Sequence, residues 1–155
     1  MPQMNKGGKF IFGRSLIREN GLVRLPSQAV QEYDIASEGK VYLFTGSKIT
    51  GGFCVTRQGL LEPSKLGHIL REMPHLLHHT IAPGEFIPYK GHSYCWVPVT
   101  PSGELNLPEQ TLRFLDLFPG MTLLSIRSSD IAFTMGAKGP LLERAEQYDG
   151  EIPTY

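Results

Sequence analysis

The hexapeptide Gly21-Leu22-Val23-Arg24-Leu25-Pro26 returns 82 positions later as Gly103-Glu104-Leu105-Asn106-Leu107-Pro108. The same shift sets Gln28 on Gln110 and Asp34 on Asp116. With one residue dropped, a shift of 81 sets Gly39 on Gly120, Leu43 on Leu124, Ser47 on Ser128 and Leu60-Leu61-Glu62 on Leu141-Leu142-Glu143. The tract is not of low complexity, and the matches run over about 40 positions, so the chain reads as two copies of one small unit. A unit of this size cannot bury enough apolar surface alone, so the copies are expected to complete one another.

Each copy reads as strand, turn, strand, short helix, then a strand hairpin. In the first, Lys9 to Ile17 is rich in β-formers, and Asn20-Gly21 is a strong hairpin signal because both residues accept positive φ. Leu22 to Leu25 returns, and Pro26, with no amide to donate, ends the ladder. Apolar residues at 29, 30 and 33 predict a short helix, with Ser27 or a neighbour as its cap. Strands follow at Lys40 to Thr45 and Gly52 to Arg57. The second copy repeats this with strands at His92–Thr100, Glu104–Leu107, Thr122–Arg127 and Ile131–Met135, and a helix within Glu109–Leu115. Apolar Cys95-Trp96 is expected inside the resulting core.

The division is 1–8 lead-in, 9–62 first repeat, 63–91 linker, 92–147 second repeat and 148–155 tail. In the linker, Ser64 to Glu72 is a candidate helix ended by Pro74, and Pro74 to Gly91 reads as a loop over the core. Pro140 to Gln147 predicts a short helix, followed by a loose acidic tail. Seventeen glycines and twelve prolines fit short strands and turns better than a helical bundle.

The formal net charge is zero, but it is unevenly spread. Residues 1–62 carry eight Lys/Arg and five Asp/Glu, whereas residues 102–155 carry four and eight. Cys54 and Cys95, too few for a disulfide framework and not spaced for a metal, fit a reducing compartment. The apolar run Phe10-Ile11-Phe12 is too short for a secretion signal, and no stretch has the length of a membrane span. A cytoplasmic protein is the expectation.

The order strand, turn, Gly-x-apolar-x-Leu-Pro, helix, Gly turn and hairpin resembles the AbrB/MazE/SpoVT swapped-hairpin family, over 9–57 and again over 92–138. The resemblance implies a mainly β fold with short helices: an intramolecular pseudo-twofold swapped-hairpin β-barrel of two ββαββ repeats. It also implies a non-catalytic, DNA-binding transcriptional regulator that contacts double-stranded DNA with basic residues of the first hairpin. On this chain those are Lys9, Arg14, Arg18 and Arg24, with Lys6 nearby. The arginine common after the motif glycine is Leu22 here and Glu104 in the second copy, and the helix's basic pair is Val30-Gln31 and Leu112-Arg113. These departures and the acidic second copy point to the alternative, a protein-interaction module that has lost DNA binding, or a self-associating one.

Other chemistry finds no pattern. All five histidines, His68, His75, His78, His79 and His92, lie at 68–92, and His75 and His79 have helical ligand spacing. Pro74 and Pro83 bracket that stretch closely, so packing over the core is favoured over metal binding. No phosphate loop, nucleophile elbow or catalytic constellation is present, and no cofactor is expected.

Overall fold

The computed structural model describes residues 10–147 and 152–155. The lead-in 1–8, Lys6 and Lys9, and 148–151 of the tail lie outside the described residues.

The first copy supplies β1 (Ile11–Leu16), β2 (Leu22–Arg24), α1 (Ser27–Tyr33), a 3-10 turn (Ile35–Glu38), β3 (Lys40–Thr45) and β4 (Phe53–Thr56). Then come α2 (Gln58–Leu61), α3 (His68–Glu72), α4 (Pro74–Leu77) and β5 (Ile87–Tyr89). The second copy supplies β6 (His92–Pro98), β7 (Glu104–Asn106), α5 (Glu109–Phe114), β8 (Thr122–Arg127) and β9 (Phe133–Gly136), followed by α6 (Pro140–Glu146).

The repeated residues impose repeated backbone. Gly21 and Gly103 turn at φ 81° and 85°. A Cβ on Gly21 would stand 2.2 Å from the Leu107 carbonyl oxygen, and one on Gly103 would stand 2.6 Å from Val30 Cγ2. Neither site admits a side chain. Pro26 and Pro108 precede α1 and α5 at φ −56° and −58°. Asp34 and Asp116 take left-handed φ of 51° and 59°, a conformation Asp tolerates. No side chain caps α1: Ser27 Oγ lies 3.0 Å from the Tyr155 hydroxyl instead.

Pairing joins the copies strand by strand. β1 runs antiparallel to β8, β3 to β6, β4 to β9 and β2 to β7. The pairs inside a copy are the hairpins β3–β4 and β8–β9. Residues 11–56 therefore do not form a separate core.

The expected closed barrel is not what forms. Among the described residues the main sheet is open and seven-stranded, in the order β1-β8-β9-β4-β3-β6-β5, and β2–β7 is a separate two-stranded sheet. Additional chain occupies the edges that closure would need. β5 pairs with β6 inside the stretch read as loop, and its Pro88 suits an edge position. On β1, the Arg14 amide donates to the Pro153 carbonyl at 2.8 Å and the Leu16 amide to the Tyr155 carbonyl at 2.9 Å. Residues 152–155 are thus docked where a loose tail was expected.

One large core lies between the copies and holds Phe12, Leu43, Phe53, Cys95, Leu107 and Phe133. Strand alternation sends the intervening side chains to the outer face. There Tyr42, Tyr94 and Trp96 pack under Leu61, Ile69, Leu70 and Leu76 of α2–α4. On the β1–β8 side, Ile11, Leu124 and Ile126 pack with Ala145 and Ile152. Cys95 is inside as expected, but its neighbour Trp96 belongs to the outer cluster.

The shift of 81 is wrong at β3. Leu43 faces the inner core and Leu124 the outer cluster, and a one-residue slip swaps faces. Register makes Ser125 the counterpart of Leu43: Leu43 pairs Cys95, Ser125 pairs Gly13, and both pairs keep the original shift of 82. The linker helix is also shorter than predicted. It begins at His68, leaving Leu66 43% exposed, and Pro74 opens α4 as well as ending α3.

Candidate nucleic-acid interface

The candidate cations converge less than their spacing suggested. Arg14 is half-buried in β1, and its Nη2 donates to the Ala145 carbonyl of α6 at 2.6 Å. Its guanidinium holds a helix end, where backbone carbonyls lack partners of their own. Arg24 is exposed in β2, and its Nη2 and Nε donate to Glu104 Oε2 at 2.9 and 3.3 Å. The bond from Arg24 holds the Glu104 carboxyl below its ordinary range, with Arg24's charge and bonds from Ser102 and Thr100 adding to it.

Arg18 stands exposed in the turn between β1 and β2, and among the described residues its side chain has no hydrogen-bond or ion-pair partner. The turn is closed by the Arg18 amide on the Leu22 carbonyl at 3.0 Å and the Gly21 amide on the Arg18 carbonyl at 2.9 Å. Asn20 Oδ1 accepts from the Leu22 amide at 3.2 Å. Glu19 adjoins Arg18 and is exposed too.

The second copy does not repeat the basic positions. At the shift of 82, Arg14, Arg18 and Arg24 fall on Trp96, Thr100 and Asn106. A face reading both halves of a duplex needs cations from both copies. In the second copy's short helix, Arg113 is ion-paired to Glu109 one turn away. In the first, Glu32 pairs with Arg127 of β8, whose guanidinium lies 4.3 Å from the Phe10 ring centre.

The histidines are dispersed. α4 ends at Leu77, so His75 and His79 do not share a helix. His75 Nδ1 lies 2.8 Å from Thr80 Oγ1. His79, at φ 57°, stacks on Tyr42 with centroids 5.5 Å apart and meets Trp96 edge-on at 5.0 Å. Burial holds its ring below the ordinary histidine range, with Lys40 adding to the effect. Among the described residues, no three His, Cys, Asp or Glu side chains are grouped to hold a metal ion. Burial pushes the Cys95 thiol up to about 12 and raises Cys54 as well, so neither is a thiolate at neutral pH.

Two concavities escaped the sequence reading. A cleft of about 1100 Å³ is lined by Cys54 of β4, Thr134 and Gly136 of β9, and Leu66, Leu141 and Leu142. Ile49, 67% exposed, stands at its margin. A pocket of about 630 Å³ is lined by Glu38, Lys40, Tyr42, Glu62 and His79. Neither follows from local periodicity, because each is made by segments distant in sequence. The Arg24–Glu104 pair was within reach: in an antiparallel ribbon centred on Val23 and Leu105, the fourth motif position of one copy faces the second of the other.

Among the described residues, no helix is long and apolar enough to cross a membrane. No protein-family model matches the chain, and no curated protein matches its sequence.

Proposed function

We propose that this chain is a cytoplasmic, non-catalytic protein-interaction module, derived from the swapped-hairpin fold of the AbrB/MazE/SpoVT family and built from two repeats in pseudo-twofold arrangement. The reciprocal pairing of β1 with β8 and β3 with β6 supports the kinship, since each copy completes the other's sheet. One observation carries the choice of partner: half-buried Arg14 and exposed Arg24 are each bonded to another part of this chain, and their counterparts Trp96 and Asn106 are uncharged. Exposed apolar anchors are at hand in Phe114 and Phe118 and, separately, in Ile49 and Leu66 at the cleft over β4 and β9.

The second reading is a DNA-binding transcriptional regulator contacting double-stranded DNA from Arg18 and Lys9. The exposed turn bearing Arg18 favours it. Titration of labelled duplex DNA with the full chain over rising salt separates the two. The module reading expects no salt-dependent binding. Affinity that falls steeply with salt and drops on Arg18→Ala across unrelated sequences would establish the regulator instead.

A further inference from the structure

β1 ends the main sheet, and an uncovered edge strand is a template for another chain. Among the described residues it is covered by 152–155. Residue 154 bridges to Arg14 in parallel. The Arg14 and Leu16 amides donate to the Pro153 and Tyr155 carbonyls at 2.8 and 2.9 Å, and the Tyr155 amide donates to the Arg14 carbonyl at 2.7 Å. Pro153 has no amide to give, and the pattern asks only for its carbonyl.

Two side chains give this segment its fit. Ile152 is buried among Ile11, Leu124 and Ala145. Tyr155 lies against Gly13, where an added Cβ would stand 2.9 Å from the ring and 2.8 Å from the Pro153 oxygen. The opposite edge of β1 is held independently by β8, so the segment can leave without opening that ladder.

We propose that the outer edge of β1, from Gly13 to Leu16, is a peptide-binding edge. It takes an extended partner segment of the pattern apolar–Pro–x–aromatic in parallel, and residues 152–155 fill it in cis. This rests on the reading of the chain as a protein-interaction module and names its partner class and its site. Main-chain bonds supply affinity, as in other strand-addition sites, while the Ile152 cavity and the flat place over Gly13 supply selectivity. A tethered occupant acts at high effective concentration, so an incoming peptide competes with it.

The test is fluorescence anisotropy of a labelled peptide with the sequence of residues 151–155, added to the full chain. Ile152→Asp, which weakens the cis occupant, is expected to tighten peptide binding at least tenfold over the unaltered chain. Adding Gly13→Val to it should abolish binding, and replacing the peptide's tyrosine by alanine should weaken it at least tenfold. Binding no tighter to Ile152→Asp, or undiminished in the Gly13→Val form, overturns the proposal. A dimer of the unaltered chain that vanishes on Ile152→Asp would assign the edge to a second copy and also overturn it. A further readout needs no variant: the Arg14 and Leu16 amides should exchange with deuterium at least tenfold faster than those of Leu124 and Ser125. Equal protection would show a fixed strand. Failure here leaves the module reading intact, because the duplex-DNA titration decides that reading.

Discussion

Arg24 and Glu104 face one another across the β2–β7 ribbon, Nη2 to Oε2 at 2.9 Å, and are the two charged residues of its six. The first copy's cation is met by the acid that follows the motif glycine Gly103 of the second copy. Because the folded-state carboxyl is lowered, its contribution to stability is present above the unfolded Glu value and lost as pH falls through the folded one. Carboxyl NMR is expected to show Glu104 titrating below an ordinary glutamate, and Arg24→Ala should raise its midpoint. An unmoved midpoint would mean the pair is not formed in solution.

Interleaved pairing predicts a single unfolding unit. Phe53 and Phe133 are fully buried in the one inner core, on β4 and β9. Either substitution to alanine should cost about 3–5 kcal/mol, and neither should leave one copy folded. In urea, the fluorescence of Trp96, the single tryptophan, and far-UV circular dichroism should trace coincident transitions in both variants. A two-step curve would mean that the halves are separate.

What could be read in advance follows from the range of the forces. Gly21, Gly103, Pro26 and Pro108 act on their own backbone, so they marked turns and helix starts correctly. The β1 edge was invisible because residues 153–155 reach it from about 140 positions away and carry no periodicity. β5 was hidden by Pro88, which lowers any strand reading, although an edge strand tolerates it. The slip that placed Leu43 on Leu124 arose because leucine suits both faces of β8; only pairing shows which face is inner. Arg14 read as a free cation because its partner is a carbonyl, and a carbonyl has no sequence signature.

Two buried serines on neighbouring strands should respond oppositely to the same change. Ser15 Oγ donates to the Arg24 carbonyl at 2.6 Å, whereas buried Ser125 Oγ has no partner among the described residues. Removing a satisfied hydroxyl that leaves a carbonyl unpaired costs roughly 1–2 kcal/mol, while removing an unsatisfied one relieves desolvation. Thermal unfolding should therefore show Ser15→Ala destabilised by that order and Ser125→Ala unchanged or more stable. Comparable losses at both sites would mean that Ser125 has a partner in solution.

The Cys95 thiol gives the fold an alkaline limit. Its ionisation is pushed from 9.0 up to about 12, chiefly by burial in the inner core. A folded-state value above the unfolded one leaves the contribution complete below the unfolded value and removes it as pH climbs to the folded one. Between about 9 and 12 the unfolded chain ionises this thiol and the folded chain does not. Stability should fall across that window, and Cys95→Ala, although weaker overall, should fall less. The thiol should also resist iodoacetamide at pH 8 until urea unfolds the chain, and peptide mapping by mass spectrometry separates its labelling from that of half-buried Cys54. Rapid native labelling of Cys95 would show that the inner core opens far more readily than its packing implies.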